Sequence, residues 1–461
     1  LALFALIYYS PAWPDAVDPK GEHFALSIQA KGALAVFAVA ATWWIFEVVP
    51  IGVTSLLIGT LQALFLIRKP VVAFKDFMDP SVLFIFGSVV IGMVFTKTGL
   101  TRRIAYKMLS IIGERTSLIM LGCFVMTALL THVMAHTAVA ATMFPLLMAI
   151  YSLYTTEKAP TNFGKCLFMG MAYVAGAGSI VTLLGAARGA VALGFYKDMM
   201  NVDISFGTLT YYMFPLGWLM VFLLWGFFLV LCKPEKDRIV GLKEKASRMY
   251  RELGGITRNE ILAAVIIFAA VLLIALKSFV PALENLDKTG ILLCSTIAFF
   301  VFNILKIDDL EDIPWNIILL FAGAMSIGFC LWETGAAKWL AVNWLVLFQN
   351  APAIVFILGM AFFVLIMTNF IMNVAAIAIS LPVALVIAPY LGVAGEVILF
   401  SALATAGMPF ILLIGAAPNA IAYNSKQFTP GEFLKFGILA SILLMVVLWL
   451  FVAFVWPMMG M

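Results

Sequence analysis

Read for hydropathy, the chain is a succession of apolar runs, most of about 17 to 25 residues, the length a helix needs to cross a hydrocarbon core. Runs at 29–47, 51–67, 80–96, 168–184, 209–231, 261–276, 291–305, 315–332 and 433–455 predict transmembrane helices. The apolar start, residues 1–9, reads as the end of a helix. It has neither the basic leading region nor the small-residue cleavage site of a signal peptide. Residues 100–113 set Arg102, Arg103 and Lys107 among apolar positions, which predicts an amphipathic helix lying at the interface.

Two further pairs of apolar arms, 117–134 with 138–154 and 353–370 with 375–391, have no charged loop between them and predict re-entrant hairpins. Their tips lie in stretches of one design, THVMAHTAVAATMFP at 131–145 and TNFIMNVAAIAISLP at 368–382. Aligning Pro145 with Pro382 sets Met372-Asn373-Val374 under Ala135-His136-Thr137. Each hairpin precedes a helix with a Gly-Ala-Ala break. TLLGAARGA (182–190) matches LLIGAAPNA (412–420), and the breaks are expected at 185–189 and near the end of 397–414. Ahead of the hairpins, Gly87, Gly92, Thr98 and Gly99 match Gly323, Gly328, Thr334 and Gly335 at one constant spacing. The pattern is that of an internal duplication. A polar pause in hydrocarbon is tolerated only where it faces protein, water or a solute. Two in matching halves predict a binding site between the halves.

The expected division is scaffold helices at 1–115 and a first hairpin and broken helix at 116–232. A linker follows at 233–260, then further scaffold helices at 261–351 and a second hairpin and broken helix at 352–461. The linker holds eight Lys or Arg and five acidic residues, which predicts a surface helix. Basic residues concentrate in 100–115, 157–165 and 233–258, placing these in the cytoplasm. Between 332 and 351 the sole basic residue is Lys338, as expected if the second half is inverted and its hairpin enters from the opposite side.

Composition narrows the class. Of 461 residues 64% are hydrophobic and 11% charged, against about 25% charged in soluble domains. Mean hydropathy is +1.09. The expected fold is an all-α polytopic membrane protein in a lipid bilayer. The net charge of +4 comes from 28 basic and 24 acidic residues, with the bases in loops, so it speaks to topology and not to nucleic acid. The five cysteines form no CxxC pair and read as reduced, buried small hydrophobes.

With WWIFEVVPIGVTSLL at 43–57 and IGAAPNAIAY at 414–423, the chain resembles the divalent anion/sodium symporter family, secondary carriers of dicarboxylates, citrate or sulfate. The resemblance implies a cell-membrane homodimer, each protomer with about eleven transmembrane helices, two re-entrant hairpins and an elevator-like motion. Family tips end in Ser-Asn-Thr, which binds substrate carboxylates and helps adjacent sodium sites. Here the first tip keeps Thr137 and the second Asn373. The first break has Ala187-Arg188-Gly189 in place of Pro-Pro-Asn, whereas the second keeps Pro418-Asn419. By this carry-over His136, Thr137, Arg188, Asn373, Asn419 and Pro418 are expected at the substrate. Ala135, Gly185, Met372 and Gly415 are expected at sites for a coupling ion. Sodium is the implied coupling ion, with no organic cofactor and no resident metal. Glu47, before Pro50, is expected to brace the scaffold.

The chemistry of these residues leaves alternatives open. Arg188 either neutralises an anion, replaces a sodium charge, or satisfies carbonyls freed by the break. His136 either donates and titrates, or is a neutral imidazole bonded to backbone. His132 lies one turn from His136, but no acid or cysteine is near enough in sequence to complete a metal site. Asn369 suits a helix–helix hydrogen bond, and Thr137 and Thr182 either serve substrate or bond a carbonyl. Helix N-termini at the tips supply N–H donors, and neither hairpin nor break contains Asp or Glu, so the expected cargo is a small anion. Ala135, Met372 and Val374 leave a drier site, suited to a less charged anion. The leading function is a secondary active transporter working by alternating access. A proton-coupled or exchange carrier and an anion channel are the alternatives. A membrane enzyme would need a nucleophile–base pair or metal cluster that the sequence lacks.

Overall fold

The computed structural model describes residues 2–17, 23–46, 48–155, 159–276, 280, 283, 285–348, 352–370 and 373–461. Glu47 and Met372 lie outside these, so their expected roles have no structural counterpart here. The fold is helical apart from one antiparallel pair, Ala16–Val17 with His23–Phe24. Eight helices among the described residues are long and apolar enough to cross a membrane, and several shorter apolar helices accompany them. Exposed Phe222, Val230, Phe268, Ile442 and Val446 put apolar side chains on the outer surface, as lipid contact requires.

The order of elements recurs. Pro80–Thr98, Leu100–Ile112, the arms Thr116–Thr131 and His136–Tyr154, the interrupted helix Asn162–Gly178 with Ala187–Met200, and Phe206–Leu231 form one series. Trp315–Glu333, Ala336–Phe348, the arms Ala353–Phe370 and Asn373–Ile387, Gly395–Gly407 with Ala417–Tyr423, and Pro430–Leu450 form the other. Gly99 and Gly335 end matching helices with φ of 82° and 80°, a left-handed turn that favours glycine. Ala336–Phe348 is the counterpart of the amphipathic helix Leu100–Ile112, and the hydropathy reading had left this segment without a helix.

Capping fixes several starts. Asp79 Oδ1 accepts from Ser81 N at 2.7 Å ahead of Pro80, and Thr429 with Glu432 forms a capping box around Pro430. The surface helix expected in the linker is Leu242–Glu252, and Arg103 from the amphipathic helix reaches Glu260 at 2.7 Å beside it.

Two regions carry the packing. In the first, Ile51–Leu64 lies against Trp315–Glu333 so closely that a Cβ on Gly323 would stand 2.4 Å from the Ser55 Cβ. Gly52 N donates to Asn316 Oδ1 at 2.8 Å, and Gln62 Nε2 donates to Ser326 Oγ at 2.9 Å. Buried Arg68 joins this region, donating to Glu333 at 2.8 Å twice and to buried Asp76. In the second, Asn162–Gly178 and Gly395–Gly407 are almost wholly buried and cross at glycines: a Cβ on Gly176 would stand 2.8 Å from the Gly407 carbonyl. Tyr173 Oη lies 3.1 and 3.2 Å from the carbonyls of Phe410 and Phe433, and Lys165 pairs with Glu432 at 2.6 Å.

Removing one partner of a buried ion pair strands the other, at about 3–5 kcal/mol. Arg68→Ala is therefore expected to lower the Tm of the purified chain markedly. Lys197→Ala, which breaks an exposed pair with Asp203, should change it little. Equal Tm values for the two variants would contradict this account.

Candidate functional site

Where the first interrupted helix stops, residues 179–186 run without helix, and helix resumes at Ala187. This corrects the expected break at 185–189: Ala187, Arg188 and Gly189 open the second segment. Ala186 caps it with extended backbone, φ −165° and ψ 143°, and its counterpart Ala416 does the same at −153° and 150°. Ala135 caps the second arm of the first hairpin. None of the three provides a capping side chain, so the first-turn N–H groups of these segments have no side-chain acceptor there.

Each break presses on its own hairpin. A Cβ on Gly185 would stand 2.6 Å from the carbonyl oxygens of Ser179 and Thr131, and one on Gly415 would stand 3.2 Å from the Thr368 carbonyl. The backbone of these glycines, rather than any side chain, sets the approach. His136 N donates to the Gly185 carbonyl at 3.0 Å, with Nδ1 of the same residue 3.3 Å from that oxygen. Of the two readings of His136, the geometry matches an imidazole bonded to backbone. Thr182 Oγ1 donates to the His132 carbonyl at 2.8 Å, and Ser88 Oγ to the Leu184 carbonyl at 3.2 Å.

The second half is braced by amides. Asn369 Oδ1 accepts from the N–H groups of Ile411 and Leu412 at 2.9 and 3.0 Å. Asn419 Nδ2 donates to the carbonyls of Pro409 and Leu412 at 2.8 and 3.1 Å. Thr368 Oγ1 lies 3.1 Å from Asn373 Oδ1 and 3.1 Å from the Ala406 carbonyl.

Between the halves is a cavity of about 1070 Å³. Ala135, His136, Thr137, Arg188, Asn373 and Gly415 line it. Gly185, Pro418 and Asn419 are not in its lining; all three are buried behind it. Thr137 has no hydrogen bond to its hydroxyl among the described residues. Arg188 is 2% exposed. Its Nη2 donates to Ser179 Oγ at 2.6 Å, its Nη1 has no hydrogen-bond partner, and no described carboxylate pairs with it. The guanidinium lies against Gly407, where a Cβ would meet Nη2 at 2.8 Å. His132 has both ring nitrogens unpartnered and sets its ring 5.8 Å from Trp218.

The cavity runs outward from the tips along Pro80–Thr98 to a charged rim of Lys97, Arg102 and Asp309, with Met249 of the surface helix beside it. Burial at this rim opposes ionisation of Asp309. The hydrogen bond and charge of Lys97, with the Lys306 N–H, outweigh it and hold the carboxyl below the ordinary carboxylate range. Sequence reading did not assign Ser179, Thr368, Lys97 or Asp309. Thr131 and Thr368 open the two matching stretches, a signal that was available.

A recurring all-helical membrane fold whose two hairpin tips share one cavity defines a carrier of small solutes. The sequence profile of the sodium:sulfate symporter transmembrane region matches residues 19–461, and the chain belongs to that family. It is similar to the sodium-dependent dicarboxylate transporter SdcS of Staphylococcus saprophyticus, 24% identical over 467 residues covering 96% of this chain and 88% of the relative. It is also similar to SdcS of Staphylococcus aureus strain USA300, 26% identical over 447 residues covering 92% and 85%. The protein is a secondary active transporter of small anions and a multi-pass protein of the cell membrane.

Gly185→Ala, which drives a Cβ into two backbone oxygens, is expected to abolish monodisperse protein on gel filtration. Gly189→Ala meets chiefly the Leu183 side chain at 3.2 Å and should behave as the parent. A monodisperse Gly185→Ala protein would show that the break does not depend on this contact.

Proposed function

We propose that the cavity between the two tips is the transport site, and that the chain is a carrier and not an enzyme. Its cargo on this reading is a carboxylate or sulfate-like oxyanion, moved by alternating access. The observation that carries it is one cavity lined by both tips and by Arg188, a buried cation with no carboxylate paired to it among the described residues. An unpaired charge in a low-dielectric interior is strongly unfavourable, so the site favours an anion. Thr137 and the N-terminus of the 19-residue helix His136–Tyr154 add donors at the same wall. At the rim Lys97 is paired with Asp309, and Arg102 beside them leaves a net positive charge that attracts anions toward the cavity.

Segments 116–232 and 352–461 interlock through the crossing at Gly176 and Gly407, which supports their moving as one body against 1–115 and 261–351. The two halves are inverted in the membrane on this reading, the basic linker is cytoplasmic and the protein works as a homodimer. Sodium, on which the relatives are named as dependent, suits the second half, where oxygens of Thr368, Asn373 and Ala406 converge. In the first half the guanidinium already supplies a positive charge. Asn419 and Pro418 act indirectly, by holding the break.

Purified chain in proteoliposomes is expected to take up labelled succinate, malate or sulfate. Arg188→Gln should slow uptake at least about tenfold, the scale of a lost charged hydrogen bond. No uptake of any anion under sodium, proton or counter-anion gradients would overturn the reading.

A further inference from the structure

We infer that the preferred cargo is an organic monoanion, one carboxylate on an apolar body, and not a dianion charged at both ends. The inference rests on the transport-site reading above and specifies the cargo class. The two ends of the cavity differ in kind. At the first tip stand the Arg188 guanidinium, with Nη1 unpartnered, and the Thr137 hydroxyl. At the second, Asn373 is the polar side chain in the lining, and its Oδ1 is already engaged by Thr368. Val374 follows it, and the nearby amides of Asn369 and Asn419 are taken up by backbone. A second carboxylate placed there would exchange its hydration for one amide donor and the backbone N–H groups that open Asn373–Ile387, with no cationic side chain in the described lining, an exchange much poorer than the first tip offers.

The wall between the tips and the rim suits the other half of such a molecule. Phe84, Ile85, Val89, Met93, Leu146 and Phe321 line it. At about 1070 Å³ the cavity is of the size that takes drug-sized ligands, far larger than a four-carbon dianion fills. Each methylene buried on such a wall raises affinity about fourfold. Neither feature serves a compact, doubly charged solute.

The test is calorimetric titration of the purified full chain with benzoate, phenylacetate and 4-phenylbutyrate, with succinate and sulfate, and with the neutral amides of the three acids. The expected result is that affinity rises along the acid series, that 4-phenylbutyrate binds at least about tenfold more tightly than succinate, and that each amide binds at least about tenfold more weakly than its acid. Arg188→Gln should erase the acid-over-amide preference and Arg188→Lys should keep it, both checked as monodisperse on gel filtration. Val374→Thr, which adds a hydroxyl at the second tip and does not touch the first, should narrow the gap between 4-phenylbutyrate and succinate. Tighter binding of succinate or sulfate than of every monoanion would overturn the inference and leave the transport site standing. Amides that bind as well as acids would also overturn it, because the charge would then play no part. Absence of binding by any anion would overturn the transport-site reading itself.

Discussion

The guanidinium of Arg188 lies where two interrupted helices cross, 2% exposed, with Ser179 as its hydrogen-bond partner and Gly407 against its face. Much of the architecture follows from keeping a charge in that place. On the transport-site reading, water in the open cavity that Arg188 lines offsets part of the cost of this charge. To close and expose the other side, a carrier has to expel that water, and the bare charge then opposes closing. An anion beside Arg188 removes the opposition. On that reading an anion beside Arg188 gains more in the closed form than in the open one, and such differential affinity is what a ligand needs to shift a conformational equilibrium. On the proposed reading, the residue that attracts the anion also disfavours an empty crossing.

The site is built on interrupted helices, and interrupted helices free backbone groups that must be bonded. The two halves solve this with different chemistry. The second uses Asn369 and Asn419, whose amides take up freed N–H groups and carbonyls around 408–416. The first uses hydroxyls and backbone: Thr182 to the His132 carbonyl, Ser88 to the Leu184 carbonyl, and His136 N to the Gly185 carbonyl. Residues expected at the substrate from motif position alone, Asn419 above all, are engaged in this bracing behind the cavity wall.

The hairpins, their tips and the recurrence of elements were legible in sequence because length and hydropathy determine them in a membrane. The arms begin and end within about four residues of expectation. The first break, at 179–186, falls ahead of the 185–189 expected from the Gly-Ala-Ala segment. In the structure Gly185 marks a close approach to Thr131, and Gly189 already lies in helix. The helix Ala336–Phe348 escaped notice for want of the charged face that marks its counterpart Leu100–Ile112, although the Gly99–Gly335 correspondence pointed to it. Partners distant in sequence, such as Lys97 with Asp309, carry no local signal. Their pairing is set by how the helices pack.

The recurring positions separate backbone from chemistry. Gly185 and Gly415, Ala186 and Ala416, Thr131 and Thr368, and Pro145 and Pro382 hold the same residue in both halves, and they shape the turns and the arms. Among the positions that differ, three meet or flank the cavity: His136 against Asn373, Thr137 against Val374, Arg188 against Pro418. At the last of these, proline presets the helix start in one half, while arginine brings a charge in the other. A fold whose two halves match in backbone would by itself present two similar ends to its cargo. Substituting at these three positions leaves the turns intact and gives the cavity one cationic end and one nearly apolar end. The asymmetry needed to orient a solute is therefore carried by side chains on a framework that stays the same.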